Sequence, residues 1–169
     1  MRSPALLVPL FFLLLGCGGE NASPKNAVPA NSASVKIDGV AFPVDISRSK
    51  VQLTASTGEL AVILQTSQPS GPRVVMVLSE FHQRPEKFTL PSQSTSVIDL
   101  SELPTGGLYY SSRDCNPVGR EIEILTYNAA ARTVSGRFSG KMCAGFGAQT
   151  NKASKMATEG QFNLPFQLQ

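Results

Sequence analysis

No tryptophan occurs in this chain of 169 residues, histidine appears once, and only 16% of the side chains are charged. Each shortage removes a class of function. The single histidine, His82, stands in the polar stretch "SEFHQRPEKF" beside a proline. Without a second histidine and without a C-x-x-C pair, neither the ligand spacing of a zinc site nor thioredoxin-type redox chemistry has support. His82 therefore reads as a surface loop residue, and neither a metal nor a cofactor is expected. The fifteen lysines and arginines form no run and no pattern interleaved with aromatics, so nucleic acid is not an expected partner. No window repeats its apolar residues at the helical period of 3.6. No apolar run approaches the roughly 20 residues that a membrane-spanning helix needs.

One shorter apolar run is present at the start, in "MRSPALLVPLFFLLLGCGGE". Arg2 is the only charge before Glu20, and Pro4 to Leu15 are apolar throughout. A basic start before a short apolar core is the layout of a secretory leader. Its end, Leu14-Leu15-Gly16-Cys17, resembles the lipobox of bacterial lipoproteins. That resemblance implies cleavage after residue 16 and acyl chains, palmitate among them, on Cys17. An ordinary leader with an incidental cysteine is the alternative. Several acyl chains, at about 0.8 kcal/mol per buried methylene, would anchor the chain to membrane lipid without spanning it. Gly18, in place of an aspartate, would favour the outer membrane of a Gram-negative envelope. Residues 17–33 are rich in Gly, Ala, Asn, Pro and Ser, a composition that cannot bury enough surface to order itself. They read as a flexible tether with ends about 20–25 Å apart.

Residues 34–169 then form one domain. Loss of Arg2 with the leader takes one charge from the formal net of +3. Strand patterns recur along the domain: "SVKID" before the turn pair Asp38-Gly39, "KVQLTA", "ELAVILQTS", "RVVMVLSEF", "REIEILTYN", "RTVSGRFSGKM" and "QFNLPF". The two most continuously apolar, "ELAVILQTS" and "RVVMVLSEF", read as central strands. Short strands with Gly/Pro punctuation predict an all-β domain, an antiparallel barrel or sandwich of about eight to ten strands. A hairpin turning at "NAAA" would put Ile122, Ile124, Val134, Gly136 and Phe138 on one inward face. Pairing Ile122 with Gly136 and Ile124 with Val134 keeps a constant index sum that Cys115 and Cys143 share. With Cys17 acylated, those two are an even remainder in an oxidising compartment. We expect a Cys115–Cys143 disulfide, contributing about 3–4 kcal/mol on the chain-entropy model; two reduced thiols are the alternative.

A second resemblance rests on Ile37, Asp38, Gly39 and Phe42, on "SGRF" with Ser135, Gly136 and Phe138, and on "EGQF" with Glu159, Gly160 and Phe162. These residues are similar to elements of calycin-like domains of envelope lipoproteins. The early aromatic of such domains is often Trp and is Phe42 here, and the middle of the chain matches poorly. The resemblance implies a barrel-like fold and no catalytic residues.

Four further places carry chemistry-bearing side chains. Ser47 and Lys50 have the S-x-x-K spacing of serine acylases, but the companion motifs are missing and a strand follows. "GRFSGK" lacks the spacer of a phosphate loop. Glu121 and Glu123 alternate with isoleucines and should face solvent, where their pKa values would not suit acid–base work. Tyr109 and Tyr110 should point to opposite faces, one inward and one available for recognition. The function expected is a non-enzymatic, membrane-anchored binding or structural module with a protein or glycan partner. A calycin-like carrier of a small apolar ligand is the alternative, and a hydrolase with an unrecognised site has the least support. A hollow interior would favour the carrier, whereas a filled one would move recognition to the surface.

Overall fold

The computed structural model describes residues 27–89, 96–102, 109–115, 119–144 and 153–169. The fold is all-β. Eleven strands belong to one sheet: β1 (Ser32–Ile37), β2 (Val40–Ala41), β3 (Lys50–Thr54), β4 (Glu59–Gln65), β5 (Arg73–Leu78), β6 (Glu86–Thr89), β7 (Ser96–Ser101), β8 (Tyr109–Ser111), β9 (Arg120–Asn128), β10 (Thr133–Ala144) and β11 (Ser154–Leu168). A single 3-10 turn, Ser112–Asp114, follows β8. Hydrogen-bonded neighbours run β2-β1-β11-β3-β4-β5-β7-β8-β10-β9-β6, and β11 also pairs with β10. A path from β11 through β3, β4, β5, β7, β8 and β10 therefore returns to β11.

The sheet is mixed, where a purely antiparallel one was expected. Phe166–Leu168 of β11 lie parallel to Val51–Leu53 of β3. The reason is chain direction: β1 is antiparallel to β11 and β2 reverses once. The chain then continues through residues 42–49 onto the same edge of β11 with no further net reversal. Ordered packing also starts earlier than the boundary at Ser34. Val28 is buried, its carbonyl accepts from Asn163 Nδ2 at 2.8 Å, and β1 begins at Ser32. The last residues of the expected tether thus belong to the folded body.

Burial alternates as the pleat requires. In β4, Leu60, Val62 and Leu64 face a single core, while Ala61 and Ile63 on the other side are half-buried. In β5, Val74, Met76 and Leu78 face the core, and Val75 and Val77 are half-buried. Both strands are central, with two neighbours each. The core is filled by side chains from every long strand, among them the fully enclosed Phe162, Ile98, Ile122 and Met142.

The β10–β11 wall shows why the two G-x-F motifs exist. Gly136 stands opposite Phe162, and Gly160 stands opposite Phe138. A Cβ on Gly136 would lie 2.8 Å from the Phe162 ring, and one on Gly160 would lie 2.7 Å from the Phe138 ring. Each aromatic ring therefore occupies the space its partner glycine leaves. Glu159, with φ of 51°, sits at a bulge where the pairings to both β1 and β10 shift.

The β9–β10 hairpin corrects the expected register. Ile124 pairs with Gly136 and Ile122 with Phe138, whereas Val134 pairs with Tyr127. Leu125 is the extra residue, since Ser135 pairs with Thr126 and Gly136 already with Ile124. The bulge swings Tyr127 onto the core, where it stacks on Phe166 and meets Phe81 edge-on, both at 5.4 Å between centroids. The constant index sum drawn through the two cysteines therefore does not hold. Cys143 pairs with Ser111 of β8 instead, and the 3-10 turn brings Cys115 back to it. The two sulfurs are bonded, with Cα atoms 5.1 Å apart.

Candidate functional site

The site begins with a two-residue turn. Asp38 (φ 51°) and Gly39 (φ 80°) both take the left-handed conformation that joins β1 to β2 in a tight hairpin. The turn is fastened to the start of β11. Asp38 N–H donates to Met156 O at 2.9 Å, Met156 N–H donates back to Asp38 Oδ1 at 2.8 Å, and Lys155 Nζ lies 3.1 Å from Asp38 Oδ2. The Met156 amide, with help from Lys155, holds the Asp38 carboxyl below its ordinary pKa against the opposing effect of burial. The hydrogen bond to Asp38 raises the Lys155 ammonium in turn.

Beyond β2 the chain is pinned twice. Phe42 N–H donates to Val35 O at 2.9 Å, and Asp45 N–H donates to Gln65 O at 2.7 Å. Opposite stands the turn between β4 and β5, closed by Gly71 N–H to Gln68 O at 3.0 Å and Gln65 Nε2 to Pro69 O at 2.7 Å. Any side chain at Gly71 would collide with Thr66 Oγ1, which is buried there without a hydrogen-bond partner.

Between the hairpin and this turn lies an open cleft of about 490 Å³. Ile37, Val40, Phe42, Pro43, Pro72 and Leu100 give it a mainly apolar lining, with Thr66, Ser67 and Gln68 from the turn and Glu102 just past β7. Val40 is 71% exposed, an unusual position for a large aliphatic side chain at a rim. Glu102 is the one charged residue among the described lining residues. The volume and the ratio of apolar to polar lining suit a small molecule.

The residues singled out from the sequence lie elsewhere. His82 is exposed, and its Nδ1 is 2.9 Å from Glu86 Oε2 in the segment before β6. Ser47 occupies a turn, donates its hydroxyl to Asp45 Oδ1 at 2.7 Å, and makes no contact with Lys50 that resembles an acylase pair. Glu121 is exposed and paired with Lys87 at 2.6 Å, and Glu123 is half-buried on the same outward face. "GRFSGK" lies within β10. Tyr110 points into the core, while the side chain of Tyr109 lies outside the described residues. So do Cys17, the leader and residues 17–26 of the tether. Among the described residues, no group of three His, Cys, Asp or Glu is placed to hold a metal ion.

Of the cleft residues, Ile37 and Phe42 belong to the motif that carries the calycin-like resemblance, but neither is given a binding role by it. The available clue was Val40 to Pro43, four apolar residues directly after a turn that exposes them. Comparison with protein-family models, curated proteins and solved structures finds no match to this chain.

Proposed function

We propose that this protein is a non-enzymatic binding module of the cell envelope, anchored at a membrane by acyl chains on Cys17, whose calycin-like, barrel-type domain takes a small and mostly apolar molecule in the cleft beside the β1–β2 hairpin. The observation that carries this reading is the contrast between a core filled with side chains and one open apolar cleft of small-molecule size. The filled core argues against carriage inside the sheet. It leaves the calycin-like idea of ligand binding intact but moves the ligand to the rim. The lipobox resemblance supports the anchor and the outer-membrane location.

A neutral, environment-sensitive dye such as Nile red tests the cleft. Ala41→Trp, at an exposed lining position, should abolish most of the dye binding and leave the melting temperature unchanged. Undiminished binding to that variant overturns the cleft as the site. The anchor is tested separately by intact mass of membrane-extracted protein, in which an unmodified Cys17 or a retained leader ends the lipoprotein reading. A protein partner is the second reading, favoured by the half-buried apolar residues Ile63, Val75 and Val77 on the outward face of β4 and β5.

A further inference from the structure

Resting on the reading of the cleft as a binding site, we propose that its ligand is a cationic amphiphile, an apolar body with an ammonium-type head, and that carboxylate-headed amphiphiles are excluded. The charge arrangement carries this. Glu102 supplies the only charge among the described lining residues; it has no ion pair or hydrogen bond to another described residue and acts on the Lys155 ammonium through space. Lys155, a cation beside the hairpin, is held by Asp38 at 3.1 Å and lies over the Tyr110 ring at 5.9 Å. Asp38 and Glu102 set two negative charges against the one positive charge of Lys155. Next to low-dielectric walls such an excess acts more strongly than in open water. An ammonium head seated at Glu102 gains a charge-assisted hydrogen bond while its alkyl body covers Phe42, Pro72 and Leu100. A carboxylate head in the same place meets a like charge, and Lys155, the described cation that acts on Glu102, is already paired with Asp38. Ser67 and Gln68, both exposed, complete the polar side of the cleft for the head's remaining donors.

The test uses three probes of equal length, octylammonium, octanol and octanoate, titrated at pH 7 into the full chain carrying Cys17→Ser, so that no acyl group competes. Binding is read by methyl NMR shifts at Val40 and Leu100. Octylammonium should bind tighter than octanol and about tenfold or more tighter than octanoate, a difference of about 1.4 kcal/mol. Glu102→Gln should bring the octylammonium and octanoate affinities together. Glu102→Asp should restore most of the difference. Equal affinities for the three probes at the cleft, an order that survives in Glu102→Gln, or octanoate binding tightest each overturns the head-group assignment and leaves the cleft itself standing. No shift at Val40 or Leu100 with any probe overturns the binding site beneath it.

Discussion

The β10–β11 wall and the corner at the β1–β2 hairpin solve the same packing problem in opposite ways. In the wall, glycines remove side chains so that the Phe138 and Phe162 rings lie across the strands and fill the space a Cβ would take. In the corner, Pro43 and Pro72 stiffen the two approaches, Phe42 is only half-buried, and about 490 Å³ stays open. Interiors packed to crystal-like density carry stability, whereas an unfilled corner costs little to keep and offers a surface. The wall thus holds the fold, and the corner is where binding is proposed.

That division breaks most readily at the wall. Phe162→Ala should destabilise the protein by about 3–5 kcal/mol, because it removes a fully enclosed ring and leaves a cavity beside a glycine that cannot fill it. Phe42→Ala in the corner should cost about 1 kcal/mol, in proportion to its partial burial. Urea unfolding of the two variants measures the contrast, and equal losses would erase it. Gly136→Ala should cost about 1–3 kcal/mol by overpacking, since the new methyl meets both the Phe162 ring and Glu123 O.

A third region sharpens the comparison. The short strand β8 reaches only Asp99–Ser101 of β7, and Ile98 N–H donates instead to Ser112 Oγ at 2.9 Å in the 3-10 turn. The Cys115–Cys143 disulfide ties that turn to β10. Replacing both cysteines with alanine should lower stability by about 3–4 kcal/mol on the chain-entropy model. The amide of Ile98 should lose hydrogen-exchange protection before the amides of the wall. Protection that falls uniformly would show that the bridge stabilises the whole sheet and not this segment.

What the sequence revealed follows the same lines. Alternation made the strands of the wall readable, and the inward set of Ile122, Ile124, Val134, Gly136 and Phe138 is the set found on the core side. The Asp38-Gly39 turn was equally legible, because left-handed φ at two successive positions selects those residue types. Register was not. One bulged residue, Leu125, shifts the pairing and inverts the facing of Tyr127, and no local pattern announces it. The parallel contact between β3 and β11 depends on chain direction summed over several elements, which no window of sequence contains. The cleft was illegible for a related reason. Its lining comes from the hairpin, the turn at residues 66–72 and the end of β7, which only the fold brings together.

The smallest expected effect concerns acid. The Met156 amide and Lys155 depress the Asp38 pKa from its ordinary 3.8. A carboxylate with a lowered folded-state pKa contributes stability that is complete above the unfolded value. That contribution is lost as pH falls through the folded value. The loss therefore belongs below about pH 4 and leaves neutral pH untouched. Asp38 is exposed, so solvent screens most of the interaction and the change in melting temperature should be slight. Asp45, lowered chiefly by the Ser47 hydroxyl, titrates in the same window and must be separated from it. Asp38→Asn retains a side chain suited to left-handed φ and an oxygen for Met156 N–H, yet it cannot titrate. Melting curves between pH 2 and 7 should show a shallower acid decline for Asp38→Asn than for the native chain, whereas Asp45→Asn should leave the hairpin contribution in place.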